Sequence, residues 1–333
     1  MSPRTSCHPS GRRRTRRAAG AGDRPEARPY DRGMRPTDPS TDPSTDHPAD
    51  RTRPAPAPSA AVLAAALARS CHPLPTAAVT VLVTALAAAA GRSAPGCALV
   101  AAAVLTGQLS VGWCNDAVDA PRDLRAGRTD KPVAAGAVTV RAVWTAAWCA
   151  LALCVPLSLA SGVLAGAAHL VFTAAGWAYN LGVKATFWSW LPYAAGFGAL
   201  PAFVTLGLPG GPWPAWWATA SAALLGVGAH LANVLPDIGD DLRTGVRGWP
   251  QRIGPAGVRL LLPLPPAAAT ALLAAAPPGP AGAAGWGAVA VAVAAVAAGA
   301  VAGRGRPGAP FAAVIAVAVV DVALLLERGA AFG

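Results

Sequence analysis

NDAVDAPRDLRAGRTDK, residues 115–131, carries four aspartates and four basic side chains in a chain otherwise built from Ala, Val, Leu, Gly and Pro. Of the 333 residues, 54% are hydrophobic and 13% charged, against about 25% charged in an ordinary soluble domain. So much charge in one short stretch of so apolar a chain points to a task. Around it the sequence falls into nine apolar runs: 74–91, 95–113, 142–160, 162–178, 187–209, 213–235, 256–276, 281–303 and 308–326. Each approaches or reaches the ~20 residues that a membrane-crossing helix needs. The runs are rich in Ala and Gly, which lets helices approach closely in lipid. The reading is an all-α membrane protein with about nine transmembrane helices around a central cavity.

Charge placement gives an orientation. With nine crossings and the N-terminus in the cytoplasm, Arg69, Arg122, Arg125, Arg128, Lys131, Arg141, Lys184, Arg243, Arg247, Arg252, Arg259, Arg304 and Arg306 share the cytoplasmic side. Arg92 and Arg328 fall outside. This is the positive-inside asymmetry of a multi-pass cell-membrane protein, with the C-terminus outside. The net charge of +11 then reflects topology and a basic tail, and no basic soluble fold for nucleic acid is visible. Residues 1–58, rich in Arg, Pro, Asp, Ser and Thr, read as a disordered tail before a membrane domain over 59–333. GRRRTRR at 11–17 could meet anionic lipid. It could equally belong to an upstream extension, with Met34 as the start. No apolar stretch follows it closely enough for a signal peptide. The six cysteines show no metal-ligand spacing and read as small apolar fillers, without disulfides or zinc.

The charged stretch occurs twice. Asn115, Asp119 and Asp123 are spaced by four and followed by Leu124, Arg125 and Gly127. Asn233, Asp237 and Asp241 have the same spacing, followed by Leu242, Arg243 and Gly245. Asp116 and Asp240 are the additional aspartates. Four crossings separate the copies, so both lie at the cytoplasmic side. They read as the Asp-rich motifs of two parallel repeats facing one cavity. Of nine acids beyond residue 58, seven belong to these segments, and acids near a membrane are costly and usually functional.

A four-residue step sets side chains on one helix face. Opposed sets of carboxylates repel unless a cation joins them. Mg²⁺ suits hard oxygen donors with places left for water and phosphate. Pro121 and Pro236 each remove a helix hydrogen bond, so both helices are expected to break there. Arg122, Arg125, Arg128, Lys131 and Arg243 lie among the acids, a set suited to a diphosphate. Lys131 and Lys184 are the chain's only lysines. Metal and base at the mouth of an apolar helical cavity suggest an isoprenyl diphosphate, with aromatic faces to shelter a carbocation. Among Trp113, Trp177, Tyr179, Phe187, Trp188 and Tyr193, most read as an interfacial belt. Tyr179, close to Lys184, is the exception and a candidate at the reacting carbon. His230 shares a helix face with Asp237 and reads as a packed or hydrogen-bonded histidine, with a proton-handling role as the alternative. Asp321, inside the last run, has no partner visible in the sequence.

NDAVDAPRD resembles the first aspartate motif of the UbiA superfamily of intramembrane prenyltransferases, and DIGDDLRTG resembles the second. GRTDKPVAAGAVT is similar to the segment that follows the first motif, and YNLGVK before WLPYAAGFG to the family's Tyr-Lys motif. The resemblance covers roughly 69–326. It implies a nine-helix fold, Mg²⁺ dependence and a cytoplasmic active site. Asn115, Asp119, Asp123, Asp237 and Asp241 would hold a pair of Mg²⁺ ions. Arg122, Lys131 and Lys184, with Arg243 beside them, would bind diphosphate, and Tyr179 would line the pocket. Arg69 corresponds to a substrate-side arginine of the family, and Asn233 joins it on the acceptor side. Many members space the Tyr and Lys by four residues, whereas Tyr179 and Lys184 are five apart.

The expected activity is Mg²⁺-dependent transfer of an isoprenyl group to a small acceptor, an aromatic or quinone precursor. Asp116 or Asp240 would take the proton that the acceptor loses. A terpene cyclase would use the same diphosphate site without an acceptor. An ion-coupled transporter would more often set its acids at the midplane. The expected partners are the isoprenyl diphosphate, the acceptor and membrane lipid, with no nucleic acid.

Overall fold

The computed structural model describes residues 59–327; the expectation of a disordered tail over 1–58 lies outside them. Twelve α-helices follow one another in this region, with no strand among the described residues. They are α1 (Ala60–Ser70), α2 (Pro73–Ala89), α3 (Ala94–Arg125), α4 (Val140–Leu159), α5 (Val163–Leu181) and α6 (Leu191–Thr205). Then come α7 (Trp216–Val234), α8 (Ile238–Arg243), α9 (Trp249–Leu261), α10 (Leu264–Ala275), α11 (Gly282–Ala302) and α12 (Ala309–Glu327).

Every apolar run lies on one of these helices or helix pairs, but their span-forming power is uneven. Ala94–Arg125, Val140–Leu159, Trp216–Arg243 and Gly282–Ala302 are each long and apolar enough to cross a membrane alone. Two pairs do so only together, α1 with α2 bent by 70° and α9 with α10 bent by 45°, which gives up to six spans against the expected nine. Prolines stand at both breaks: Pro73 opens α2, and Pro263 precedes α10. The 187–209 run is divided between a 3₁₀ turn over Phe187–Trp190 and the 15-residue α6.

The outer surface is apolar, with Val81 65%, Val163 75% and Leu260 76% exposed. A water-facing protein would bury such side chains, whereas lipid accepts them. One buried cluster joins Val83, Val104, Phe172 and Phe203 from α2, α3, α5 and α6. Another joins Leu231, Val258, Val296 and Val317 from α7, α9, α11 and α12. Arg92, which the charge count leaves on the side away from the aspartates, has a structural task. Its guanidinium donates to the carbonyls of Val204 at 3.3 Å and Phe203 at 3.4 Å, near the end of α6.

The two aspartate segments end alike. After Asp123, Gly127 takes φ +66°, its N–H donates to Leu124 O, and the Arg128 N–H donates to Asp123 O at 3.0 Å. After Asp241, Gly245 takes φ +89°, its N–H donates to Leu242 O, and the Val246 N–H donates to Asp241 O at 2.8 Å. This turn needs a left-handed residue after the helix, which glycine supplies without a Cβ clash. The shared Asp-Leu-Arg-x-Gly is therefore a helix stop that fixes each last aspartate at the end of its helix.

The prolines act differently from each other. Pro236 sits in a 3₁₀ turn, Leu235–Asp237, that separates α7 from α8 as expected. Pro121 breaks nothing: α3 runs through it to Arg125. It lies one turn from the helix end, where Arg125 Nε donates to its carbonyl at 2.9 Å. One lost hydrogen bond near a terminus is tolerated by a helix anchored along its length.

Helices α6 and α7 meet through a glycine. A Cβ at Gly226 would press into the carbonyl of Tyr193 and lie 2.9 Å from Phe197 Cβ. Gly226→Val is expected to lower the melting temperature in detergent, at a cost of about 1–3 kcal/mol of overpacking. An unchanged melting curve would contradict this close approach.

Candidate active site

Both aspartate segments open on one cavity of about 360 Å³. Asn115, Asp119, Arg122 and Asp123 reach it from the end of α3, and Asp237, Asp240 and Asp241 from the turn before α8 and from α8 itself. Lys131 and Arg128 enter from the loop after α3, Lys184 from a 3₁₀ turn after α5, and Gln251 from α9.

Arg122 joins the two segments. Arg122 Nη2 lies 2.9 Å from Asp119 and its Nη1 lies 3.6 Å from Asp241. Lys184 pairs with Asp119 from the other side. Gln251 Nε2 donates to Asp241 Oδ2 at 2.8 Å. Arg128 forms a second bridge, bidentate to Asp130 at 3.0 Å and reaching Asp237 at 3.8 Å and Asp240 at 3.9 Å. The Asp130 hydrogen bond pushes the Arg128 guanidinium pKa up, and Arg128 holds the Asp130 carboxyl below the usual carboxylate range.

The cavity wall carries six carboxylates, Asp119, Asp123, Asp130, Asp237, Asp240 and Asp241, against four cationic side chains, Arg122, Arg128, Lys131 and Lys184. Hard oxygen donors in excess of positive charge fit a divalent cation that keeps several waters and shares phosphate oxygens. No group of three or more His, Cys, Asp or Glu among the described residues stands ready to enclose an ion. Instead Arg122 and Lys184 occupy carboxylate oxygens.

Several expected site residues stand elsewhere. Asp116 is 2% exposed and does not line the cavity; its Oδ1 accepts from Lys131 Nζ at 2.9 Å. It thereby positions Lys131. Arg243 points outward and pairs with Asp240 at 2.6 Å, its side chain 76% exposed. Arg69 donates to the backbone carbonyl of Asp130 at 3.4 Å, outside the cavity wall. Tyr179 and Asn233 do line it. Asn233 donates to the Tyr193 hydroxyl at 3.3 Å, and Asn115 donates to Asn180 Oδ1 at 3.0 Å. His230 is buried, bonded through Nε2 to Ser189 Oγ at 3.2 Å, with its ring against Tyr179 and Tyr193. Trp177 leaves the expected interfacial belt: it is buried, and its Nε1 donates to Ser110 Oγ at 3.2 Å.

The reading of the sequence missed His72. It is the one non-glycine residue with positive φ among the described residues, at +55°. Such a conformation costs about 1–3 kcal/mol and tends to mark functional corners. It stands between α1 and α2, with Nε2 3.1 Å from Asn115 Oδ1 and 3.6 Å from Asp116 Oδ1. A lone histidine before Pro73 gives no periodic signal. Gln251 was equally hidden, because a lone glutamine near the start of α9 carries no signal in the sequence.

Beside the mouth lies an apolar chamber that shares His72, Asn115, Tyr179 and Asn233 with it. Tyr193, Phe197, Phe172 and Phe311 line that chamber. Tyr179 meets Tyr193 edge-on at 5.1 Å, and Tyr193 stacks on Phe197 at 6.3 Å.

An apolar helical bundle with a charged mouth over an aromatic chamber defines a class of membrane protein that handles amphipathic substrates. Solved structures share the fold. A UbiA homolog from Aeropyrum pernix K1 superposes with a TM-score of 0.59 at 21% identity, over 75% of this chain and 97% of that one. A UbiA homolog from Archaeoglobus fulgidus, bound to GPP and Mg²⁺, gives a TM-score of 0.56 at 17% identity, over 79% and 98%. The same homolog bound to DMAPP and Mg²⁺ gives 0.56 at 15%, over 78% and 98%. No curated protein sequence matches the chain. The UbiA prenyltransferase family model matches residues 58–307, and the chain belongs to that family. It is a multi-pass membrane protein.

Arg122 is the residue on which the mouth is balanced. Arg122→Ala is expected to cost about 1–3 kcal/mol in thermal unfolding, because two partly buried carboxylates lose a charged partner. A loss of only a few tenths would mean that Lys184 and Gln251 suffice.

Proposed function

We propose that this chain transfers an isoprenyl group from an isoprenyl diphosphate to a small lipophilic acceptor, an aromatic ring or quinone precursor, with Mg²⁺ as the metal. The observation that carries this reading is adjacency: a cavity with six carboxylates and four cations shares His72, Asn115, Tyr179 and Asn233 with a chamber walled by Tyr179, Tyr193 and Phe197. A diphosphate suits the first part and a hydrocarbon tail the second. The GPP- and DMAPP-bound homologs of the same fold support the donor class.

Asp119, Asp123, Asp237 and Asp241, with Asn115, are the residues that would hold Mg²⁺. The metal would neutralise the departing diphosphate as a Lewis acid. Lys131, fixed by Asp116, Lys184 and Arg122 would bind phosphate oxygens, exchanging carboxylate partners for the substrate. Arg128 would close the loop over them. When the allylic C–O bond breaks, its electron pair leaves with the diphosphate, and the acceptor supplies the pair for the new bond. Tyr179, Tyr193 and Phe197 present ring faces to the cationic carbon and exclude water. The proton lost by the acceptor has Asp240 within the cavity wall, whereas Asp116 stands behind it. Nine crossings, with the aspartates at the cytoplasmic face, remain the topology that the distribution of Arg and Lys favours.

The test is diphosphate release by protein purified in detergent. It uses geranyl, farnesyl and geranylgeranyl diphosphate, with and without Mg²⁺ and a panel of phenolic and quinonoid acceptors. The expected result is release that needs both metal and acceptor and falls at least about 100-fold in Asp119→Ala and Asp237→Ala. Release without acceptor, with hydrocarbon or alcohol products, would make the protein a cyclase. Mg²⁺-independent release, unchanged in both variants, would remove the aspartates from the mechanism.

A further inference from the structure

Next to the aromatic chamber lies another, which shares Val79, Phe197, Ala229 and Phe311 with it and none of the aspartates of the mouth. Helices α2, α6, α7, α10 and α12 enclose it, and its wall is almost wholly hydrocarbon, including Val83, Leu86, Leu200, Leu225 and Val314. Two residues of this wall each carry a polar atom with nothing to bond, buried just behind the hydrocarbon surface.

The first belongs to Asp321 on α12, which is 2% exposed. Its Oδ1 accepts from Thr270 Oγ1 at 2.7 Å, but its Oδ2 has no partner among the described residues. The second belongs to Thr205 at the end of α6. Thr205 is 1% exposed, and its Oγ1 has no partner either. Both residues line the same chamber. Ser221, also in the wall, is satisfied by donating to the Ala269 carbonyl at 3.2 Å.

A buried polar atom without a partner is costly, and a carboxyl inside a membrane bundle more so. Fastening α12 to α10 accounts for one oxygen of Asp321 alone, and a serine would do that at lower cost. The fastening leaves Oδ2 and Thr205 unexplained. A plain isoprenyl tail satisfies neither, since it has no donor or acceptor. A hydroxyl does. It donates to a carboxylate, accepts from a carboxylic acid, and exchanges either role with a threonine.

We propose that this inner chamber takes a lipophilic alcohol whose hydroxyl pairs with Asp321 Oδ2 or Thr205 Oγ1, a side-chain rotation bringing that atom to the chamber surface. The site requires neither metal nor diphosphate, so it stands or falls separately from the transfer reaction.

The experiment is equilibrium binding of farnesol and of farnesene, a hydrocarbon of the same carbon count, to the full-length protein in detergent. Farnesol is expected to bind about tenfold tighter, the difference made by a hydrogen bond that would otherwise go unmade. The preference is expected to vanish in Asp321→Leu, shrink in Thr205→Val and persist in Asp119→Asn. Equal affinities in the wild type, or a preference indifferent to Asp321→Leu and Thr205→Val, would overturn the proposal. Infrared difference spectra of the wild type keep the test independent of how Asp321→Leu folds. Farnesol should shift a carboxyl band that Asp321→Asn removes, and farnesene should not. A band unmoved by farnesol would overturn the proposal too.

Discussion

Like charges brought together beside a low-dielectric bundle must be answered locally, and that constraint organises this molecule. Two aspartate segments, far apart in sequence, face one cavity. Arg122 lies between them, 2.9 Å from Asp119 and 3.6 Å from Asp241. Without a cation there, the carboxylates would repel across a space that water screens poorly. Around the pair, Lys184 and Arg128 add positive charge and Gln251 adds a hydrogen bond, with carboxylates still in excess. The rest of the fold brings these side chains to one place: α3 ends at one segment, α7 gives way to the other, and the turn after α5 delivers Lys184.

Much of this was legible in the sequence because the informative residues are rare ones. Asp at four-residue steps, followed by Leu-Arg-x-Gly, stands out against Ala and Val, and that pattern gave the shared cavity. Its final glycine proved to be a helix stop in both copies, at Gly127 and Gly245. What the pattern could not convey was how a proline acts in its place. Pro236 separates two helices, while Pro121 rides within the last turns of α3. Apolar runs likewise mark where helices lie and not where they bend, so α1–α2 and α9–α10 became pairs. His72 had no signature, since a left-handed backbone at a histidine is imposed by neighbours. Asp116 resembled its fellow aspartates in type and differed only in facing Lys131 rather than the cavity.

The path inward is graded. At the mouth the wall is ionic. Asn115 and Asn180 hold each other beneath it, and Asn233 meets the Tyr193 hydroxyl. Deeper, tyrosine and phenylalanine rings replace amides, and after them come valine and leucine. Small residues permit the grading: Gly226 lets α7 touch the backbone at Tyr193 and so sets that ring in the wall. A larger residue there would move an aromatic surface as well as a helix.

Arg122 also restricts how such a chain can change. It answers to carboxylates on two segments that are more than a hundred residues apart in sequence. Losing the arginine leaves Asp119 to Lys184 and Asp241 to Gln251 alone, and losing either acid leaves the arginine half-employed with the other still in place. Asp119, Arg122 and Asp241 are thus bound as a set: a change at one alters the charge that the other two must answer. Two distant stretches of the chain thereby share one charge balance, with Arg122 as its pivot.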